Sequence, residues 1–466
     1  MSAQLPSTDA LARVLAANTQ DSGVPHVVVA LPSYSVGDSL LSHYIERIPA
    51  LEHRYLVSLL VLHRIRDCHT VFVASKAPGD DVLAYYAGLG PRDPAEVLSR
   101  FEVLHVPDHG GRSVAAKLLD RPDLLEKLRR TVAGKPAVIE PWNVTESELA
   151  VARELGVPIN GTDPSLRFLG FKSEGRRVFA AAGVPTPLGV EDVSTIAEVE
   201  EAIRTIRAAR PDLASVIVKH DDSGAGDGNI VVDLTSPSWP KALEELPEWY
   251  VGDLAKGGVV EEMVAGSHFS SPSAQIDIAP GGEVLIVATH EQVMGGPRDQ
   301  VYLGCSFPAS KEYGRVIADH ALATGHELAR RGVLGRVAVD FAAAVTSDGS
   351  WTVRALEINL RKGGTTHPFA TLRSLAPGRY DAQGARWLTD SGEERSYAAS
   401  DNLVDPAWTG MPPSGLQTRD STRSRASSSA VSSGSRSASS SAKRVAEITR
   451  DPGVASPTRT TPGHPA

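Results

Sequence analysis

Asp340, Glu357, Asn359 and Arg361 are the residues whose types and spacing point most directly to chemistry. Residues 336–345 and 351–361 both read as strands, joined at Ser347-Asp348-Gly349-Ser350. Asp-Gly between two such runs is a strong hairpin signal, and a two-residue turn pairs Ser347 with Ser350. Extending that register outward sets Asp340 opposite Glu357, with Cβ atoms roughly 4.5–5.5 Å apart. Like charges so placed repel unless a cation sits between them. Side chains alternate along a strand, so Glu357, Asn359 and Arg361 share this face, while Leu356, Ile358 and Leu360 point into a core. Carboxylate and amide oxygens beside one arginine suit a hard cation such as Mg²⁺, which keeps phosphate oxygens and waters in its shell. The plainer alternative is a hairpin with solvated charges. A face that gathers acceptors around a single arginine argues against it.

Further candidates lie upstream. The run 221–229 is rich in glycine, with Ser223, Gly224, Gly226 and Gly228 between two β-like segments. Glycines let backbone N–H groups approach phosphate oxygens, and Lys219 just before them can add a point charge. A strand follows this loop where a Rossmann fingerprint requires a helix, so a Gly-rich hairpin over phosphates fits better. An ordinary surface hairpin is about equally consistent with the loop alone. Lys172 opens a helix, against the helix dipole, which a nearby anion would explain; a solvated lysine is the plainer reading. Residues 259–264 form an apolar strand interrupted by Glu261 and Glu262. Its edge can hydrogen-bond an adenine through backbone groups, or it can be purely structural. His290-Glu291-Gln292 and the segment to Cys305 read as a turn-rich stretch of the kind that carries binding groups. His290 and His367 taken singly read as structural, and Cys305 as a small buried residue without a histidine partner.

These residues need a frame. Apolar strands at 27–31, 70–74, 101–106 and 137–140, with a helix at 145–155 and a further strand at 158–160, imply a parallel sheet covered by helices. That α/β domain spans 25–164, after a loose leader over 1–24. Residues 165–410 mix helices at 172–182, 194–209 and 312–331 with hairpins, which implies an α+β domain with antiparallel sheets. Residues 411–466 include a stretch, 421–441, of almost only Ser, Arg and Ala. It cannot bury enough apolar surface to fold and reads as a disordered tail.

The chain has 466 residues and a net charge of −9, which argues against a broad nucleic-acid-binding surface. Two cysteines make no disulfide framework, and no apolar run reaches the length of a membrane span. With no signal-peptide pattern at the start, the expectation is a cytoplasmic protein. After the first strand stands Leu31-Pro-Ser-Tyr-Ser-Val-Gly37, without Gly-x-Gly-x-x-Gly, so a dinucleotide oxidoreductase ranks low.

Taken in order, Lys172, Lys219 with its glycine loop, Glu261 to Val264, Asp340 and Glu357-x-Asn359-x-Arg361 resemble the nucleotide site of ATP-grasp enzymes. More narrowly, Glu140-Pro-Trp-Asn-Val-Thr145, Thr289-His-Glu-Gln292 through Gly304-Cys305, and Asn359-Leu-Arg-Lys-Gly-Gly-Thr-Thr-His-Pro368 are similar to the pheganomycin-type peptide ligases. The resemblance spans nearly all of 26–410. It implies a Rossmann-like pre-ATP-grasp domain followed by an ATP-grasp domain. Lys172 and Lys219 would bind ATP phosphates with the Ser223–Gly228 loop, and Glu261, Glu262 and Val264 would line the adenine. Asp340, Glu357 and Asn359 would ligate two Mg²⁺ ions, and Arg361 would steady the transferring phosphoryl group or a substrate carboxylate. In place of the family's ribose-binding acid stands Gly266-Ser267-His268, which leaves His268 for that contact. The implied activity is ATP-dependent joining of a carboxylate to an amine through an acyl phosphate, on amino acids or peptides in specialised metabolism. The alternative is an ATP-binding module without turnover. Such ligases continue as folded chain past residues 397–404, so the Ser/Arg-rich tail suggests a C-terminal truncation or a change of reading frame.

Overall fold

A computed structural model describes residues 7–20, 22–34, 45–223, 228–295 and 301–400. Four apolar strands, β1 (His26–Leu31), β2 (Cys68–Ala74), β3 (Phe101–His105) and β4 (Ala137–Pro141), form a parallel sheet in the order β3-β2-β1-β4. Every residue of β1 is buried, as a strand covered on both faces requires. Residues 158–160 contribute one parallel bridge, Ile139 to Ile159, in place of a fifth strand. Helix Glu146–Leu155 is closed at its N-terminus by a Thr145/Glu148 capping box and at its C-terminus by left-handed Gly156. The expected loose leader contains a ten-residue helix, Thr8–Ala17, whose Leu11 and Val14 join the core beneath the sheet. Apolar residues at helical spacing outweigh the polar composition there.

A smaller antiparallel sheet follows. It contains β5 (Gly189–Val190), β6 (Ser215–His220), β7 (Asn229–Asp233) and β8 (Gly258–Glu262), in the order β5-β8-β6-β7. Helix Ile196–Ala209 packs against it through Val199, Ala202, Ile203 and Ile206.

The largest sheet is built from β9 (Phe269–Ile278), β10 (Val284–Gly295), β11 (Val301–Phe307), β12 (Gly335–Val345) and β13 (Trp351–Asn359). Three short strands, β14 (Gly378–Asp381), β15 (Arg386–Thr389) and β16 (Glu394–Arg395), form a separate sheet. The last strand, β17 (Tyr397–Ser400), returns to the large sheet and gives the order β13-β12-β9-β10-β11-β17. Helix Gly314–Arg330 covers one face, burying Ile317, Ala321 and Leu328 against Ile276, Val337, Val339 and Phe341. The other face is polar and carries the candidate site. His290, Glu291 and Gln292 lie inside β10, so that stretch is strand where a turn-rich loop was expected. The expected disordered tail, 411–466, lies outside the described residues.

Candidate active site

Asp340 and Glu357 stand opposite each other in the β12–β13 ladder, with Ala338 opposite Asn359. They arrive there by two departures from the simple hairpin. The loop is three residues long, with Thr346 and Ser350 bonded across Ser347-Asp348-Gly349 and Gly349 at φ +83°. That moves the register by one. A bulge between Asp340 and Phe341 then moves it back, so Phe341 faces Ala355 while Asp340 faces Glu357. The bulge also switches faces. Val353, Ala355 and Ile358 are core residues, and Glu357 turns to the polar side. Leu356 is the extra residue; it is half-buried and outside the core cluster, contrary to the expected alternation.

Asp340 is tightly held. Gln292 Nε2 donates to its Oδ1 at 2.9 Å and Asn359 Nδ2 to its Oδ2 at 2.9 Å. Burial, and then the Glu357 charge, push its carboxyl up to about 6, against the opposing pull of Ser273, Arg361 and Asn359. Lys172 reaches across from the start of helix Lys172–Ala181. Its Nζ lies 3.4 Å from Glu357 Oε1 and donates to the Ser223 carbonyl at 2.5 Å. The helix start is tied to the glycine loop by Asp221, whose backbone oxygen accepts from Lys172 N and whose side chain accepts from Ser173 N. Glu357 is the anion that the position of Lys172 called for.

Lys219 is buried at the end of β6, and its Nζ bonds Glu261 Oε2 at 2.5 Å. Arg176 NH1 takes the other oxygen of Glu261 at 2.6 Å. Burial raises the Glu261 carboxyl, but Lys219 and Arg176 outweigh it and hold the group below its ordinary value. Glu261 lies between β5 and β6, where Gly189 and Ile217 are its partners, so it is not on the expected free edge. Glu262 N donates to Leu188 O and Met263 N to Ser215 O. The strand ends at Glu262, leaving Val264 beyond it. In the loop, Ser223 Oγ donates to His220 O. Gly228 has φ +80°, and a Cβ there would lie 2.5 Å from His220 Nδ1. Gly224 and Gly226 lie outside the described residues. His268 is exposed after β8.

Arg361 lies past the end of β13, and its NH1 donates to the Lys362 carbonyl. It lines a crevice with Trp142, Asn143, Thr162, Arg336 and Lys362. Sequence reasoning missed this crevice and the partnership of Gln292 with Asp340. The signals were present: Arg336 shares strand parity with Asp340, and Gln292 shares it with His290. Cys305 is buried and forms no disulfide, as expected for a small core residue. His290 Nε2 meets Tyr397 OH at 2.7 Å, and burial pushes the ring down to about 3.

The donor set fits a Mg²⁺–nucleotide complex. Among the described residues no group of three or more His, Cys, Asp or Glu could hold a metal. Two opposed carboxylates and an amide leave the rest of the shell to phosphates and water, which is how Mg²⁺ is commonly bound.

No family model matches the chain. It is 30% identical over 400 residues to the L-propargylglycine--L-glutamate ligase of Streptantibioticus cattleyicolor, covering 82% of this chain and 80% of that one. It is 25% identical over 339 residues to IQ motif-containing protein H of Danio rerio, covering 59% of this chain and 32% of that protein. Among solved structures, a biotin carboxylase–β,γ-ATP complex from Campylobacter jejuni shares the fold. Its TM-score is 0.51 at 15% identity, over 75% of this chain and 68% of that one.

Proposed function

The chain belongs to the ATP-grasp peptide ligases, ADP-forming carboxylate–amine ligases, and from that premise we propose which residues carry its reaction and on what substrates. A carboxylate is a poor electrophile. Transfer of the γ-phosphoryl group makes it an acyl phosphate, and an amine then attacks the acyl carbon and expels phosphate. Catalysis is mainly alignment and neutralisation of charge. We assign Asp340, Glu357 and Asn359 as ligands for two Mg²⁺ ions, which when bound neutralise phosphate charge. Lys172 and Lys219 hold phosphates, with the Ser223–Gly228 loop above them. Glu261 acts through its side chain by fixing Lys219, while the segment from Glu262 to Val264 borders the adenine and His268 the ribose. Arg361 steadies the transferring group. Among the described residues no helix is long and apolar enough to cross a membrane. The buried cysteines Cys68 and Cys305 form no disulfide, and on that ground we propose a cytoplasmic setting.

The observation that carries this reading is the Asp340–Glu357 pair, which gathers two carboxylates on one face with Lys172 in reach. The named relative joins two amino acids, so we propose amino acids or short peptides as both substrates here. An ATP-binding module without turnover is not favoured. Hydroxylamine supplied in place of the amine tests the acyl phosphate. The expected outcome is an amino-acid hydroxamate formed only with Mg²⁺ and ATP. ADP release without hydroxamate would contradict the assigned intermediate.

A further inference from the structure

Strands β6 and β7 pair as far as Lys219 and Asn229, so their ladder alone closes the glycine-loop hairpin. The loop is nevertheless anchored at both ends from outside that ladder. At its entry stands Asp221, directly after β6. Its carbonyl accepts from Lys172 N at 3.1 Å and its Oδ1 from Ser173 N at 2.8 Å. These are two of the unpaired donors that open helix Lys172–Ala181, where Phe171 at the cap position offers no side-chain oxygen. A carboxylate there also offsets the charge of Lys172 at the positive end of the helix dipole. Two residues on, the Ser223 carbonyl accepts from Lys172 Nζ. Residues 221–223 therefore hold the buried lysine by its backbone and by its ammonium group. Asp221 is itself fixed from behind. Its N–H donates to Gly257 O at 3.0 Å, and a Cβ on Gly257, at φ +118°, would lie 2.7 Å from Asp221 Oδ2.

A different helix holds the exit. Tyr250, buried on helix Glu248–Leu254, directs its hydroxyl at the Gly228 carbonyl, 3.1 Å away, and at the Val218 carbonyl, 3.3 Å away. Gly228 O also accepts from His220 N at 3.3 Å. The His220 ring packs on both partners. Its centroid lies 4.1 Å from that of Tyr250, and its Nδ1 lies 2.5 Å from where a Gly228 Cβ would stand. Two helices thus reach the two ends of one loop whose strands are already paired. Such anchors add little to closing a hairpin. What they fix is where Lys172 and the loop backbone lie, and placement of that accuracy matters to a bound ligand.

We propose that Asp221 and Tyr250 are positioning residues for the polyphosphate of ATP. Asp221 sets Lys172 and the entry of the glycine loop, and Tyr250 sets its exit. This rests on the reading of that loop as the phosphate site. The test titrates the purified full chain calorimetrically with Mg²⁺-ATP, Mg²⁺-ADP and AMP, and records unfolding midpoints beside them. The wild type is expected to bind ATP and ADP more tightly than AMP, which lacks the β- and γ-phosphates. Asp221→Ala weakens ATP and ADP about tenfold and leaves AMP unchanged. Asp221→Asn keeps an oxygen for Ser173 N and restores most of that affinity. Tyr250→Phe removes only the hydroxyl. It gives the same selective loss, smaller, and decides the matter if Asp221→Ala does not fold. A purely structural role would lower the midpoint and weaken AMP along with ATP. That result, an ATP affinity unchanged in either folded variant, or a loss in Asp221→Asn as deep as in Asp221→Ala would overturn the inference and leave the nucleotide site standing. A wild type that binds AMP as tightly as ATP would overturn the phosphate reading of the loop, and this inference with it.

Discussion

Two carboxylates in this molecule, buried Glu261 and half-buried Asp340, have opposite electrostatic surroundings. Glu261 is held by two cations, Lys219 and Arg176, which keep its carboxyl below normal despite burial. Asp340 faces a second carboxylate, and its own carboxyl is pushed up to about 6. The first cluster is complete within the protein and positions a lysine. The second carries less positive charge, with Lys172 beside Glu357 and Arg361 pulling on Asp340 among the described residues, which is the state the proposed cation site needs. Complete clusters resist change, whereas incomplete ones bind ligands.

The largest expected effect is on the complete cluster. Glu261→Ala leaves Lys219 buried without its anion and Arg176 with Glu191 alone, at a cost of about 3–5 kcal/mol. Denaturant unfolding should show it, and a loss under about 1 kcal/mol would mean that the cluster is not the closed unit described. Glu357→Gln should do the reverse. Turnover falls by about a hundredfold or more, while the unfolding midpoint without metal holds or rises, because a repulsion is removed. A clear drop in that midpoint would make Glu357 a structural residue.

The pH profile sharpens the contrast. The Asp340 carboxyl lies above the ordinary value of about 3.9, so the protonated form favours folding. Its stabilising contribution is full below about pH 4 and is lost as pH rises through about 6, a change of about 3 kcal/mol. Metal-free Asp340→Asn should lack that slope. If the mutant and wild-type profiles coincide between pH 4 and 7, Asp340 is not perturbed. The smallest effect is expected for Gln292→Ala, which removes one hydrogen bond to Asp340 and costs about 1 kcal/mol, read as weaker Mg²⁺-ATP binding.

Much of the frame was legible because periodicity is local. Strands β1 to β4 and helices Lys172–Ala181 and Gly314–Arg330 follow directly from apolar spacing. The opposition of Asp340 and Glu357 was also legible, although the loop and the bulge each depart from the simple register and their shifts cancel. Helix Thr8–Ala17 was missed because its short apolar run lies between the polar segments at residues 1–7 and 18–24. Glu261 was read as part of an edge because β5, the short strand that covers it, has only two residues. The Arg336–Asp277 pair joins β12 to β9, and nothing in local sequence brings those two strands together.

The central claim is that the incomplete carboxylate pair serves an ATP-dependent ligase. The most direct measurement is release of ADP and phosphate with Mg²⁺-ATP and pools of amino acids and short peptides, beside Glu357→Gln. Substrate-dependent release that is lost in the variant is the predicted result. Release that persists undiminished in a folded Glu357→Gln, or no release from the wild type with any pool, would contradict it.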